Sequence, residues 1–254
     1  MPLDADSTRH GRLTFSLSGP VIGLIGVLAV FCLILAIQGD LGHFVQLSNL
    51  QTLLNRNSVN AAVALGMLLI IISGGIDLSS GSVVALVTVV AMQAYRHVEA
   101  STNSPGLASA LAILSGIGTG ALCGLVNGLV ITQLRVLPFV ATLGMYSVAR
   151  GLAFWLAGRT RISFRGQRPG WIEALSQARS DYLFDPGVWI VAAIAIAVAI
   201  LLRNTVFGRY CSAIGSNEET ARLCGVSVNR QKILIYTLAG LLTGLAGILV
   251  FAHT

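Results

Sequence analysis

Residues 107–134 read LASALAILSGIGTGALCGLVNGLVITQL, and no charged side chain occurs anywhere in this stretch. An α-helix rises about 1.5 Å per residue, so about 20 apolar residues cross the roughly 30 Å hydrocarbon core of a bilayer. Inside lipid, every backbone amide of a helix forms its hydrogen bond within the same segment. Because the alternating pattern of a membrane β-strand does not occur here, the stretch predicts a transmembrane α-helix.

From residue 116 onward, glycines recur at every fourth position of this stretch, and two more repeat the spacing near the end of the chain. Residues four apart lie on one face of a helix, and small residues there let another backbone approach closely. We therefore predict that this face packs against another helix, and we favour that interpretation over a substrate role. The glycines concerned are Gly116, Gly120, Gly124, Gly128, Gly240 and Gly244.

The composition of the whole chain also indicates a membrane protein. Of its 254 residues, 55% are hydrophobic and only 10% are charged, whereas about 25% of a soluble domain is charged. A soluble domain, a disordered chain and a coiled coil are excluded on these grounds. The net charge of +6 comes from arginines that stand between apolar runs, which predicts a role in membrane topology rather than nucleic-acid binding. The four cysteines form no CxxC pair, so neither a disulfide framework nor a metal site is indicated.

We predict an all-α, polytopic helical membrane protein with about seven transmembrane helices and a short cytoplasmic helix. Residues 1–19 are predicted to form a polar cytoplasmic tail, residues 20–254 a transmembrane domain, and residues 41–57 an amphipathic helix on the membrane surface. The seven spans place residues 203–232 in the cytoplasm, in agreement with the positive-inside rule, and the arginine-rich loop 158–186 outside, against that rule. The predicted spans are residues 21–37, 59–73, 82–95, 107–134, 136–157, 188–202 and 233–252.

Motifs for catalysis are missing from the sequence. It contains no GxxxxGK[ST] phosphate loop, no HExxH and no GxSxG, so neither ATP binding by a P-loop nor these hydrolytic chemistries are indicated. No cofactor and no enzyme activity are therefore predicted.

Two charged residues come close to membrane depth, and each allows two interpretations. Asp77 either caps the following helix or lines a solute path, and Arg150 either extends toward the membrane interface or pairs with an acid inside the bundle.

The polar segment 203–232 contains the signature of a short helix. Ser216 followed three residues later by Glu219 fits a capping box, and Gly225 fits a helix stop. A helix of about two turns is not stable alone, so we expect it to dock either on the protein's own membrane surface or on a cytoplasmic partner.

Several stretches together resemble the ribose-type sugar permeases, which are the membrane subunits of bacterial ATP-binding-cassette importers. The resemblance runs from about Asn49 to the end of the chain and rests on the combination rather than on one motif. The stretches are ALGM (64–67), GGIDLSSGS (74–82), NG (127–128), PFVATLG (138–144), ARG (149–151), TVFGRY (205–210) and AIGSNE (213–218).

The resemblance implies a function and a set of partners. It implies a multi-pass subunit of the bacterial inner membrane that moves a ribose-, xylose- or galactose-like sugar inward. It also implies an ATP-binding subunit, a periplasmic sugar-binding protein and a second permease copy, identical or homologous. The short helix then becomes the helix that couples the permease to the ATPase. Its residues are Ser216, Glu218, Glu219, Arg222, Leu223 and Gly225.

Two further expectations complete this interpretation. Asp77 and Asn127 are expected near the sugar path, because sugars need hydrogen-bonding partners and such side chains are scarce in the spans. Members of the resembled family continue beyond the point where this chain ends, so the transmembrane domain is expected to be incomplete at its C-terminus. The alternatives are a self-sufficient carrier or channel, which would move solute without an ATPase, and an inactive truncated fragment.

Overall fold

The computed structural model describes residues 19–44, 46–160, 163–164, 169–170, 172 and 184–253. Within these residues the secondary structure is helical and contains no strand, which confirms the predicted all-α class. The predicted tail, apart from Gly19, and much of the loop 158–186 lie outside the described residues. The helices are α1 (Gly19–Gln38), α2 (Leu41–Phe44), α3 (Leu47–Ile72), α4 (Ser80–Thr102), α5 (Pro105–Gln133), α6 (Pro138–Leu156), α7 (Pro186–Asn204), α8 (Val206–Ser216), α9 (Glu218–Leu223) and α10 (Val228–His253).

Seven of the described helices are long and apolar enough to cross a bilayer: α1, α3, α4, α5, α6, α7 and α10. The predicted number of spans is therefore confirmed for the described part of the chain. The chain divides into two units, and the boundary falls after Leu50, within α3. In the first unit the rings of Phe31 and Phe44 pack edge to face with centroids 5.3 Å apart. The functional features described below all lie in the second unit.

The predicted surface helix over residues 41–57 is wrong, because α3 continues without a break from Leu47 to Ile72. Polar side chains near its middle are satisfied within the helix itself. The Asn57 amide donates to the Leu53 carbonyl at 2.8 Å, and the Ser58 hydroxyl donates to the Asn55 carbonyl at 2.7 Å. These polar side chains therefore do not interrupt the backbone hydrogen bonds of the helix. Residues 47–57 form the first turns of α3.

The centre of the second unit is formed by α4, α5 and α10. Two apolar clusters fill it at opposite ends of the helices. One contains Met92, Tyr95 and Phe251 from α4 and α10, and the other contains Ile131 and Ile235 from α5 and α10. Helix α10 contributes to both clusters and is the most buried of the seven long helices, so it is the central helix of this unit.

Helices α4 and α6 run parallel in a fixed register. Near their beginnings the Leu78 amide donates to the Thr142 hydroxyl at 3.3 Å, and near their ends the Gln93 amide nitrogen donates to the Leu156 carbonyl at 2.9 Å. The sequence separation is 64 residues in the first pair and 63 in the second. Residues of α4 therefore lie level with residues about 64 positions later in α6.

The short helix α9 lies at the same end of the second unit as the break between α3 and α4. An added Cβ at Gly215, next to α9, would collide with the backbone of Ile72 at the end of α3. The turn between α5 and α6 reaches the same region, because Arg135 and Pro138 line a groove together with Glu218. This end of the unit is called the α9 side below, and the other end is called the far side.

Candidate functional site

A buried hydrogen-bond chain occupies the break between α3 and α4. The Asp77 carboxylate accepts from the amide of Ser79 at 2.7 Å and from its hydroxyl at 2.6 Å. The Asn127 amide nitrogen on α5 donates to the same Ser79 hydroxyl at 3.1 Å. Ser79 and Asn127 are only 1% and 3% exposed. The break is therefore fixed to α5 by side chains as well as by apolar packing.

The interpretation of Asp77 as the N-cap of α4 is wrong, because Ser79 occupies that position. A capping side chain accepts from the second or third amide inside the helix, whereas Asp77 accepts from the amide of the N-cap residue itself. The carboxylate thus orders the turn before α4. Asn127 is the second predicted path residue, and its side chain also belongs to this chain of hydrogen bonds.

A seam of glycines joins α5 to α10. An added Cβ at Gly120 would lie 2.6 Å from the Gly244 Cα, and one at Gly128 would lie 2.8 Å from the Ile233 Cα. At Gly124 and Gly240 a side chain would meet the backbone of the facing helix at similarly short distances. Since backbone atoms cannot rotate away, only glycine permits this separation of the helices.

The remaining two glycines of the predicted set lie at the far end of the same seam. The space next to Gly116 is filled by the Ile248 side chain, and Gly244 faces the backbone of Ile117. The structure thus brings all six predicted glycines to one interface.

The short helix α9 begins differently from the predicted capping box. Asn217, in an extended conformation, is the N-cap, and its side-chain oxygen accepts from the Thr220 amide at 2.9 Å. Ser216 is instead the last residue of α8. The predicted cap at Ser216 is therefore wrong by one residue, because the extended backbone of Asn217 separates two helices that the sequence analysis did not distinguish.

Gly225 ends α9 in a Schellman motif. Its φ is +86°, a left-handed conformation that glycine adopts without steric cost. The Gly225 amide donates to the Arg222 carbonyl at 3.0 Å, and the Val226 amide donates to the Ala221 carbonyl at 3.1 Å. Ala221 and Val226 also belong to an apolar cluster with Ile214. This cluster fixes α9 to the helices on either side of it.

Opposite charges connect α9 directly to α10. The Glu218 carboxylate lies 2.6 Å from the Lys232 ammonium and 3.2 Å from the Arg222 guanidinium. The hydrogen bond from Lys232 holds the pKa of Glu218 below its ordinary value. Glu218 thus stays ionised at neutral pH and braces the two helices.

The outer surface of α9 is exposed and contains one large apolar residue. Leu223 is 86% exposed, and Glu219, Arg222 and Cys224 around it are exposed as well. Ala221, on the opposite face, is buried. The helix therefore presents an apolar residue among charges on a short, well-anchored support.

Helix α8 was missed by the sequence analysis. Thr205 caps it by accepting from the Gly208 amide at 3.4 Å, and its buried face contains Gly208, Cys211 and Ile214. Their spacing of three residues was a detectable helical signal. In this helix Gly208 lies directly against the backbone of Leu202, so α8 packs tightly against the end of α7.

A cavity of about 590 Å³ lies between α4 and α6. Its α4 wall is formed by small residues, including Gly81, Ser82 and Ala85, and its α6 wall by larger ones. Arg150 is the charged residue at mid-height of α6. Its guanidinium donates to the Tyr146 hydroxyl at 2.8 Å and lies 5.7 Å from the ring centroids of both Tyr146 and Phe154. Among the described residues Arg150 thus pairs with tyrosine, not with an acid as one interpretation had it.

The long apolar helices and the glycine seam between α5 and α10 define a polytopic helical membrane protein. The family described as "Branched-chain amino acid transport system / permease component" matches residues 49–254, and the chain belongs to this family. No solved structure matches the chain.

Curated relatives support the same assignment. The ribose import permease protein RbsC of Escherichia coli K12 is 34% identical over 231 residues, which are 89% of this chain and 68% of that protein. RbsC of Bacillus subtilis 168 is 35% identical over 230 residues, 90% of this chain and 66% of the relative. The galactose/methyl galactoside import permease protein MglC of Escherichia coli K12 is 35% identical over 240 residues, 89% and 69% of the two chains. The chain thus spans about two thirds of the length of these relatives.

Proposed function

We propose that the chain is the membrane-spanning permease subunit of an ATP-driven importer that moves a monosaccharide into a bacterial cell. The family match and the sugar-import permeases among the relatives support this proposal. The subunit lies in the inner membrane and is not itself an enzyme. Energy comes from a separate ATP-binding subunit, and a periplasmic sugar-binding protein delivers the solute to a pair of permease copies.

The observation that carries the proposal is the construction of α9. A helix of only six residues is capped at both ends, fixed to α10 by Glu218 and Lys232, and leaves Leu223 exposed. Isolated helices of this length are not stable in water, so these contacts maintain it as a preformed docking element. We place the groove of the ATP-binding subunit over Leu223, with Glu219 and Arg222 at its rim.

The mechanism requires two conformations whose relative stability the partner changes. A ligand shifts such an equilibrium only by binding the two states with different affinity. ATP binding and hydrolysis on the partner change its affinity for α9 in each conformation. The resulting movement of α9 is transmitted to α10 through Glu218 and the short α9–α10 connection. Asp77 and Asn127 remain our proposed groups near the solute path, at the point where the break between α3 and α4 meets α5.

The sidedness of α9 is testable with a native residue. Cys224 follows α9 and is exposed, whereas Cys123 and Cys211 are buried. A membrane-impermeant maleimide should label Cys224 in inside-out vesicles and not in right-side-out vesicles. A variant with Cys32→Ser removes the remaining partly exposed thiol, and Cys224→Ser provides the blank. Labelling from the outer side would refute the proposal.

The energy source is testable by transport. Vesicles containing the chain, an ATP-binding subunit and a sugar-binding protein should accumulate a labelled monosaccharide only with ATP. Glu218→Lys combined with Leu223→Asp should abolish both uptake and co-purification of the ATP-binding subunit. Thr102→Lys with Leu107→Asp makes the same kinds of change at exposed far-side positions and should leave both intact. Uptake by the purified chain alone in liposomes without ATP would instead establish a self-sufficient carrier.

A further inference from the structure

The cavity between α4 and α6 is closed on the α9 side and extends toward the far side. The hydrogen bond from Leu78 to Thr142 closes the gap between the helices below it, and the bond from Gln93 to Leu156 joins them again near the far side. The lining begins at Gly81, passes the level of the Gln93–Leu156 bond and ends at Thr160, just beyond the end of α6. Along α6 the distance from Tyr146 to Ala157 is about 16 Å at 1.5 Å per residue. The lining therefore follows the first half of α4 and the far-side half of α6, next to the Asp77 hydrogen-bond chain.

Ser82, whose hydroxyl is buried, contributes to the α4 wall of this space. Ser82 is 5% exposed and lines the cavity, and its Oγ has no hydrogen-bond partner among the described residues. Buried polar groups in native proteins are nearly always hydrogen-bonded, so each exception requires an explanation. Because Ser82 lies 64 residues before Tyr146, the α4–α6 register places it level with Tyr146, and Arg150 lies about one helical turn further toward the far side. Ser82 and Arg150 thus line neighbouring turns of the cavity wall.

The opposite wall combines a hydrogen-bond donor with aromatic faces. Arginine has five N–H donors, and one of them is used on the Tyr146 hydroxyl. Tyr146 and Phe154 add ring surface against which the apolar face of a small molecule can pack. The described lining residues include two arginines, Arg150 and Arg159, and no carboxylate, so the charge of the cavity disfavours cations. A charge within a membrane span is costly and in most cases functional.

We propose that this cavity is a binding site for a neutral, hydroxyl-rich solute of monosaccharide size, with Ser82 and Arg150 as its hydrogen-bonding groups and Tyr146 and Phe154 as its apolar platform. Its volume of about 590 Å³ falls within the range of small-molecule sites. The proposal rests on the proposed function and assigns the residues that receive the solute on the far side of the Asp77 chain.

Protection of a substituted cysteine tests the site directly. In a chain whose four native cysteines are replaced by serine, Ser82→Cys should react with an impermeant thiosulfonate reagent from the far side. Millimolar ribose, xylose or galactose should slow the reaction at least several-fold, whereas inorganic phosphate and choline should not. The control is Ser147→Cys, which is exposed on α6 outside the cavity lining and should react equally with and without sugar. Equal rates at Ser82→Cys with and without each sugar, or protection by phosphate, would overturn the proposal.

Transport kinetics provide the second test. Arg150→Gln should raise the KM for uptake about tenfold or more, as expected for loss of a hydrogen bond from a charged group. Arg150→Lys keeps the charge but loses the planar fork and should give an intermediate KM, while Ser147→Ala should leave the KM unchanged. If wild-type uptake depends on ATP and Arg150→Gln leaves the KM unchanged, the site assignment fails while the proposed function stands. If wild-type uptake proves independent of ATP, the proposed function fails, and protection at Ser82→Cys still decides the binding site.

Discussion

Replacing Gly120 by alanine is expected to force α5 and α10 apart. The added Cβ would lie 2.6 Å from the Gly244 Cα and 2.7 Å from its backbone nitrogen. Two carbon atoms are at their optimal separation at about 3.5–4.0 Å, so the methyl group is about 1 Å too close. The colliding atoms belong to a helix backbone, and no side-chain rotation can relieve the contact.

The expected cost follows from this geometry. Inserting a methyl group into a close-packed interior costs about 1–3 kcal/mol, and here the separation also loosens the contact between Gly124 and Gly240 one turn away. Gly120→Ala should therefore lower the free energy of unfolding by about 1–3 kcal/mol, and the double variant with Gly124→Ala by more, because both positions meet backbone.

The measurement is an SDS unfolding titration of the purified chain in mixed micelles, followed by circular dichroism. Gly118→Ala is the matched control, because Gly118 lies on the same helix and an added Cβ there meets nothing within 4 Å. Its midpoint should equal or slightly exceed that of the wild type, since alanine is the better helix former. If Gly120→Ala and Gly118→Ala unfold at the same SDS concentration, the close approach of the two backbones is refuted.

Three further changes test the remaining features. Asn217→Ala removes the cap of α9 and should destabilise this segment by about 1 kcal/mol, seen as faster amide exchange over residues 218–226 but not in α10; unchanged exchange would contradict the cap. Lys232 lowers the pKa of Glu218. The ion pair therefore stabilises the α9 segment fully above pH 4.5, the ordinary pKa of this carboxyl group. This stabilisation is lost as the pH falls through the lower pKa that Glu218 has in the folded protein. Proteolysis of the α9 segment should therefore be constant from about pH 8 to pH 5 and rise only under stronger acid, and Glu218→Gln should cleave faster at neutral pH and lose that acid-dependent rise. Asn127→Ala removes the hydrogen bond to Ser79 and should lower the free energy of unfolding by about 1–3 kcal/mol in the SDS titration, whereas a wild-type midpoint would show that the bond contributes nothing.

The spans could be predicted because membrane insertion depends on local composition. A stretch such as residues 107–134 is apolar over its whole length, and lipid permits only hydrogen-bonded helices there. The glycine spacing was equally readable, since four-residue repeats specify one face without reference to the partner helix. Where polar residues intervened, composition gave the wrong boundary. Asn57 belonged to the predicted surface segment, although its side chain donates to a carbonyl of its own helix.

The cavity could not be predicted, because it depends on which helices become neighbours. Ser82 and Tyr146 lie far apart in the sequence, and their common height follows only from the parallel register of α4 and α6. The contact between Arg150 and Tyr146 is the part of the site that the sequence could predict, because residues four apart meet on a helix surface. At α9 the sequence specified a short helix ending at Gly225, but Ser216 and Asn217 are both good caps. The choice between them depends on where α8 ends.

The connection between α9 and α10 has a mechanical consequence. Only residues 224–227 separate the two helices, and the Glu218–Lys232 pair spans this turn. The 26 residues of α10 extend about 39 Å at 1.5 Å per residue. If α10 tilts as a rigid rod by about 5°, its far end moves by about 3 Å, and the glycine seam obliges α5 to swing with it. A rotation too small to unwind a single turn on the α9 side is thus amplified into a displacement the size of a water molecule on the far side.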